Sequence, residues 1–232
     1  MAGSRNETVS TARGGSAIRR FRNRSEAGRI LARELTDYAG RDDVVVLALP
    51  RGGVPVGYEL AKQLGAPLDV FVVRKVGVPG YEELAMGAVA TGGVLVLDDT
   101  MVRRLGISPA EVERAVAAER RELERREAAY RQGRSPPDLD GKTAILVDDG
   151  LATGASMHAA ALAVRRHKPG RVVVAVPVAA AETCNEFRGD VDEVVCARTP
   201  APFYAVGLWY EDFSQTTDEE VRELLARAAA PG

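Results

Sequence analysis

The 232-residue sequence predicts an α/β fold, a mostly parallel sheet flanked by helices, on two observations. Short runs rich in Val, Ile and Leu recur without polar alternation, the pattern of strands buried on both faces. Between several of these runs stand stretches with helical spacing. Strand and helix alternating in this way build parallel sheets, whose ligands bind beyond the carboxyl ends of the strands.

The opening "MAGSRNETVSTARGGSAIRR" lacks the apolar core of a secretory leader, so residues 1–18 are expected to form a disordered tail on a cytoplasmic protein. Residues 19–232 then make one domain. "SEAGRILARELTDYA" puts Ile30, Leu31, Leu35 and Tyr38 on one helical face, with Ser25 as its N-cap. "DVVVLALP" is the first strand and "PVGYELAKQLG" the helix after it, followed by strands in "LDVFVVRKV" and "GVLVLD".

A helical insertion over 106–133 contains "SPAEVERAVAAERRELERREAAYRQG", which opens on a capping box of Ser108 and Glu111 with Pro109 at the first helical position. Glu122 and Arg126 stand one turn apart and can pair. Val116, Leu123 and Tyr130 repeat at seven, a narrow seam that serves either this domain or a second copy in a homodimer. Next come the strand "TAILVDDG", the helix "GASMHAAALAVRRHKPG" with His167 in its last turn, the strands "RVVVAVPV" and "DEVVCA", and a final helix from "TTDEEV".

Hydrophobic residues at 46%, charged residues at 28% and a formal net charge of -2 describe a chain with no global attraction to nucleic acid or to anionic membranes. No apolar window reaches the ~18 residues of a membrane span. Cys184 and Cys196 lack metal-ligand spacing and are expected as free thiols, while His158 and His167 are too few for a zinc site. The absence of "GK[ST]" and of a GxGxxG after a strand disfavours a P-loop NTPase and a dinucleotide-binding dehydrogenase.

Chemistry concentrates in "ILVDDGLATGASM", Ile145 to Met157. An apolar strand ends at Asp148 and Asp149, and Gly150 and Gly154 permit the turn into the next helix. Successive backbone N–H groups at such a helix start form a nest for phosphate, and the hydroxyls of Thr153 and Ser156 add donors. Ionised carboxylates only accept hydrogen bonds, which suits adjacent sugar hydroxyls. Together these groups describe a ribose 5-phosphate. A second acid pair, Asp98 and Asp99 after "VLVL", has no such turn and is read as capping the helical segment that follows.

This string is similar to the signature of the type I phosphoribosyltransferases, which bind 5-phosphoribosyl diphosphate (PRPP). The resemblance covers about residues 20 to 222, with the charged helix as an insertion, and implies that fold. It implies that Asp148 and Asp149 meet the ribose hydroxyls and act in catalysis. It also implies that Gly150, Leu151, Ala152, Thr153, Gly154, Ala155 and Ser156 surround the ribose 5-phosphate. "LPRGGVPVGYELAKQLG" resembles the family's diphosphate loop, with Arg51, Gly52 and Gly53 at the matching positions. Glycines also allow close approach there, and an arginine offers forked donors to phosphate.

"VFVVRKVGVPGYEELAMGAVATGG" resembles the region that precedes and forms the flexible catalytic loop. Arg74 and Lys75 are placed like a basic pair that meets diphosphate in orotate phosphoribosyltransferases, which implies a catalytic role for both, but Tyr81, Glu82 and Glu83 stand in place of that subfamily's loop Lys and His. The family reaction displaces diphosphate from C1 of the ribose, with Mg2+ held mainly by the substrate and in part by Asp148 and Asp149. Its partners are thus PRPP and a small-molecule acceptor.

A hood over 199–217 is the acceptor region of this resemblance, and Phe203, Tyr204, Trp209 and Tyr210 either stack on a planar base or close the core. Purine members that read a 6-oxo group usually carry a lysine in the strand after the PRPP helix. Val176, Pro177 and Val178 stand there, so the acceptor stays open. The alternative to an enzyme is a PRPP- or nucleotide-sensing regulator on the same fold; its basic face would have to come from "RRFRNR", Arg19 to Arg24. The two acid pairs are separable by alanine substitution. Asp98→Ala is expected to leave PRPP affinity intact and Asp148→Ala to lower it, as read by calorimetric titration; equal losses would reverse the assignment.

Overall fold

In a computed structural model, residues 19–230 are described, and the tail expected over 1–18 lies outside them. The chain runs α1 (Arg24–Arg33), β1 (Val44–Ala48), α2 (Gly53–Leu64), β2 (Leu68–Val70), β3 (Val73–Val78), β4 (Tyr81–Ala90) and β5 (Val94–Leu97). It continues with α3 (Asp99–Arg104), α4 (Pro109–Arg131), β6 (Thr143–Val147), α5 (Ala155–Val164), β7 (Arg171–Val178), α6 (Ala181–Glu186), β8 (Glu193–Arg198) and α7 (Asp218–Ala229).

The strands β2-β1-β6-β7-β8 form one sheet in that order, and every pairing in it is parallel. β1, β6 and β7 are the Val-rich runs, and their buried faces are covered on both sides, as unalternating apolar sequence requires. From β1 the chain winds outward to β2, whereas from β6 it winds the other way to β7 and β8. The order therefore reverses between β1 and β6, and the crevice beyond their carboxyl ends is the place where open α/β sheets bind ligands.

Two expectations about strands are corrected. "LDVFVVRKV" is broken at Phe71–Val72, and "GVLVLD" does not join the parallel sheet: β3, β4 and β5 make a separate antiparallel sheet. β5 is half-buried throughout, so an unalternating apolar run here reflects packing of a small second sheet and not two covered faces. The region expected as a flexible loop is largely paired: Tyr81 opposes Val78 and Ala90 opposes Val73 across a turn at Gly80, whose φ is 80°.

Asp98 caps α3 by accepting the Met101 N–H, as the second acid pair predicts. The α1 N-cap is Asn23, which accepts from Glu26, and not Ser25. At α4 the capping box of Ser108 and Glu111 is formed, and Glu122 pairs with Arg126 at 2.7 Å. Val116, Leu123 and Tyr130 all enter the main core, so the seam is used within the domain. Cys184 and Cys196 are joined in a disulfide, which corrects the expectation of free thiols; α6 and β8 bring their Cα atoms to 6.7 Å, at the wide end of the bridging range. No helix among the described residues is long and apolar enough to cross a membrane.

The C-terminal end of α4 is pinned by Arg131, only 6% exposed, which donates to Asp69 at 2.9 Å, to Glu127 at 2.9 Å and to the Val70 carbonyl at 2.9 Å. Burial pushes the Asp69 carboxyl up against the pull of Arg131. Removing one partner of such a pair strands the other charge. Arg131→Ala is expected to lower unfolding stability by about 3–5 kcal/mol in denaturant titration; a loss under about 1 kcal/mol would show that α4 is not anchored there.

Candidate active site

Two loops meet at the reversal point. The turn after β1 carries Arg51, Gly52 and Gly53, and β6 ends directly at Asp148 and Asp149. Their contact is so close that a Cβ on Gly52 would lie 2.1 Å from Asp149 Oδ2, and one on Gly53 would lie 2.7 Å from the Val147 carbonyl. Backbone approach requires glycine at Gly53, whereas a side chain at Gly52 would push the Asp149 carboxylate out of its present position. Arg51 is partly exposed at the rim, its Nη1 3.9 Å from Asp218 Oδ1 at the start of α7.

Asp149 is held from three directions. Arg24 donates Nε to its Oδ2 at 2.8 Å, with the two side chains only 12% and 15% exposed. The Tyr210 hydroxyl donates to its carbonyl at 2.6 Å, and its own N–H donates to Asp148 Oδ1 at 2.8 Å. Arg24 reaches further, donating Nη1 to the Ser214 carbonyl at 2.6 Å and lying 4.0 Å from the Phe213 ring centroid. It thus ties the acid pair to the segment over 199–217.

The electrostatics follow from this crowding. Both acids keep some surface open to solvent. Burial nevertheless raises the Asp148 carboxyl well above the usual range, and the neighbouring Asp149 charge adds to it. Burial raises Asp149 too, opposed by the hydrogen bond and charge of Arg24. The Tyr210 hydroxyl is pushed far up, chiefly by burial, and stays a donor.

Beyond the acids, the turn splits into a structural and an open part. Leu151 is buried and its N–H donates to the Val178 carbonyl at 3.0 Å, so Leu151 has no free donor for a phosphate; this narrows the expected nest. Gly150 is likewise a packing position, since a Cβ there would meet Val206 Cγ1 at 2.6 Å. From Ala152 to Ser156 the N–H groups have no backbone acceptor among the described residues, and the Thr153 and Ser156 side chains are exposed. Gly154 adopts φ 68° immediately before Ala155, the first residue of α5, so these amides sit at a helix N-terminus.

Other expected residues lie elsewhere. Arg74 donates to Glu119 of α4 at 2.7 Å, and Lys75 lines a cleft of about 420 Å3 between the β3–β4 hairpin and α4. The structure therefore places this basic pair against the inserted helix. Tyr210 is fully buried against Phe21 and offers no face to a base, which corrects its assignment to acceptor stacking. Phe203 and Trp209 pack partly on the same small core, while Tyr204 is 80% exposed. Arg24 is not legible from the sequence as the partner of Asp149: the tract "RRFRNR" is visible, but nothing local says which arginine meets an acid 125 positions later.

Comparison with known proteins decides the family. A family model described as phosphoribosyl transferase domain matches residues 15–207. The chain belongs to this family. Two proteins of Mycobacterium tuberculosis strains, Rv0571c and MT0597, named only provisionally as phosphoribosyl transferases, are each 49% identical over 208 residues, covering 90% of this chain and 47% of theirs. The chain thus spans about half the length of the curated relatives it matches. The crystal structure of TT1426 from Thermus thermophilus is 46% identical, covers 91% of this chain and 100% of its own, and superposes with a TM-score of 0.81.

The raised acids in this phosphoribosyl transferase domain have a consequence for stability. A carboxyl whose pKa is higher folded than unfolded supports the fold below the unfolded value of about 3.9 and loses that support as pH rises through the folded value. Asp148→Asn keeps the acceptor for the Asp149 N–H and removes the charge. It is expected to raise the thermal midpoint at about pH 7.5, with the advantage shrinking toward about pH 4; a pH-independent difference would remove the burial argument.

Proposed function

We propose that the chain is a Mg2+-dependent phosphoribosyltransferase that transfers the 5-phosphoribosyl group of PRPP to a nitrogenous acceptor, a nucleobase or related amine, and releases diphosphate. The observation that carries this reading is the junction of three groups at one sheet crevice. These are an acid pair, a run of unpartnered amides from Ala152 to Ser156 at a helix start, and a glycine turn pressed onto Asp149. In this reading the amides and the hydroxyls of Thr153 and Ser156 hold the 5-phosphate. Asp148 and Asp149 accept from the ribose hydroxyls, and the turn of Arg51, Gly52 and Gly53 faces the diphosphate.

The C1–O bond to diphosphate breaks as a C1–N bond forms, and the acceptor releases its proton. The chain contributes positioning and fixed charge. Arg24 and Tyr210 hold Asp149 so that its free lone pairs face the sugar, and Asp149 offsets positive charge growing on the ring. Arg74 and Lys75 join the diphosphate when released from α4, and Phe203, Tyr204 and Trp209 of the hood over 199–217 line the acceptor side.

The acids fit a divalent cation of the expected kind. Two adjacent carboxylates, one of them strained by its neighbour's charge, favour a cation, while no group of three or more ligating side chains occurs among the described residues. That donor set suits Mg2+, which keeps waters and substrate oxygens and needs few protein ligands. Asp148 and Asp149 would hold it, and it would neutralise the leaving diphosphate.

The test is to incubate the protein with PRPP and Mg2+ across a panel of nucleobases and amines and to score diphosphate. Acceptor-dependent release is expected, and Thr153→Ala should raise the PRPP KM about tenfold with kcat nearly unchanged. PRPP binding without release across the panel would favour a sensor instead. Unchanged turnover in Asp149→Asn would remove the role of that carboxylate in offsetting charge on the ring.

A further inference from the structure

We infer that this chain carries a second anion site, separate from the acid pair, which takes an oligophosphate on the outer face of α1. Arg19, Arg22, Arg29, Arg33 and Arg198 surround Glu26 in a cavity of about 290 Å3. Four of them come from α1 and the segment before it: Arg19 and Arg22 precede the N-cap, and Arg29 and Arg33 share a face of the helix with Glu26; Arg198 arrives from the end of β8.

The charges in this cavity do not cancel. Glu26 is its one lining acid, and its carboxyl lies below the usual range, chiefly because the Arg22 N–H donates to it at 2.6 Å. It also accepts from the Arg19 and Arg22 side chains at 2.8 and 3.0 Å, so its capacity is taken up by these two arginines. Arg29 shares Glu59 at 2.8 Å from outside the cavity. Arg33 and Arg198 have no carboxylate within ion-pair distance among the described residues. Arg198 is held in place: its guanidinium carbon lies 3.8 Å from the Phe21 ring centroid and its Nη1 donates to the Arg19 carbonyl. Burial pulls its proton affinity down against the pull of Glu26, and Arg19 adds to the lowering.

The ligand class follows from donors and size. Guanidinium groups are planar forks that match phosphate oxygens in pairs, and arginine is the residue of choice where such an anion is recognised. The cavity is at or just below the lower end of small-molecule sites, which suits a diphosphate-sized group better than a whole nucleotide. A chain with net charge -2 that concentrates arginines here has placed them against its own average. Two sources share the chemistry: free diphosphate, and the phosphate tail of a nucleoside polyphosphate with its nucleoside outside.

Calorimetric titration of the whole chain with inorganic diphosphate in metal-free buffer tests this, in parallel with Arg33→Glu and Arg33→Lys. Arg33 is exposed and makes no contact with the acid pair, so both variants should fold, as circular dichroism would verify. Wild type is expected to bind one more diphosphate per chain than Arg33→Glu. Arg33→Lys should keep the site about tenfold weaker, because it retains charge and loses the fork. Any site left in Arg33→Glu reports the proposed PRPP crevice, so the two readings fail separately. ATP binding tighter than diphosphate at the Arg33-dependent site assigns the nucleotide tail, and equal binding assigns free diphosphate. The same stoichiometry and affinity in wild type and Arg33→Glu would overturn the site, as would Arg33-dependent binding of a single-stranded oligonucleotide with none of diphosphate.

Discussion

The structure of the site depends on the contact between Gly52 and Asp149. Two loops from neighbouring strands of a parallel sheet meet so closely that a Cβ on Gly52 would lie 2.1 Å from the carboxylate and would displace it from its place beside Arg24. Both carboxyl groups at this junction are raised by burial. The crowding then has to be balanced, and Arg24 supplies the balance from the first residue of α1. Since Arg24 also holds the Ser214 carbonyl and packs on Phe213, the demand for one counter-charge fixes where the hood rests.

The hood is fastened through the same acids. Phe21 and Tyr210 pair through the backbone, with Phe21 N–H donating to the Trp209 carbonyl and Glu211 N–H donating to the Phe21 carbonyl. Tyr210 then donates its buried hydroxyl to the Asp149 carbonyl. A buried phenol needs an acceptor, and the one chosen belongs to the acid pair. Core packing of the hood and geometry of the acids are thus a single problem, which explains why an aromatic expected to face a ligand is instead in the core.

Legibility in the sequence tracks locality. β1, β6 and β7 are readable because burial on both faces leaves an unbroken apolar run, and the Ser108 capping box because its two partners are three residues apart. The acids and the turn after β6 are readable for the same reason, as one continuous string. β5 misleads because a half-buried strand in a small antiparallel sheet can carry the same apolar run. Arg24, the buried state of Tyr210 and the pairing of Cys184 with Cys196 rest on which segments the fold brings together. Leu151 shows the finer limit: a residue inside the motif string loses its role as donor because β7 offers the Val178 carbonyl first.

The two halves of the proposed PRPP site are built to different rigidity. The amides after Leu151 and the acid pair stand at the ends of a parallel sheet whose strands are buried, so the half proposed to take the ribose 5-phosphate rests on a buried frame. Arg74 and Lys75 belong to the separate antiparallel sheet, and Arg74 is bound by Glu119 with about 30% of each side chain exposed. Such a partly exposed ion pair is worth about 0–1 kcal/mol, whereas charge-assisted bonds from a guanidinium fork to diphosphate are among the strong ones. In the proposed reading, a diphosphate within reach of the hairpin would therefore compete with Glu119 for Arg74. The inserted helix would then serve as a weak holder of Arg74, strong enough to define its resting place and too weak to keep it there against such a ligand.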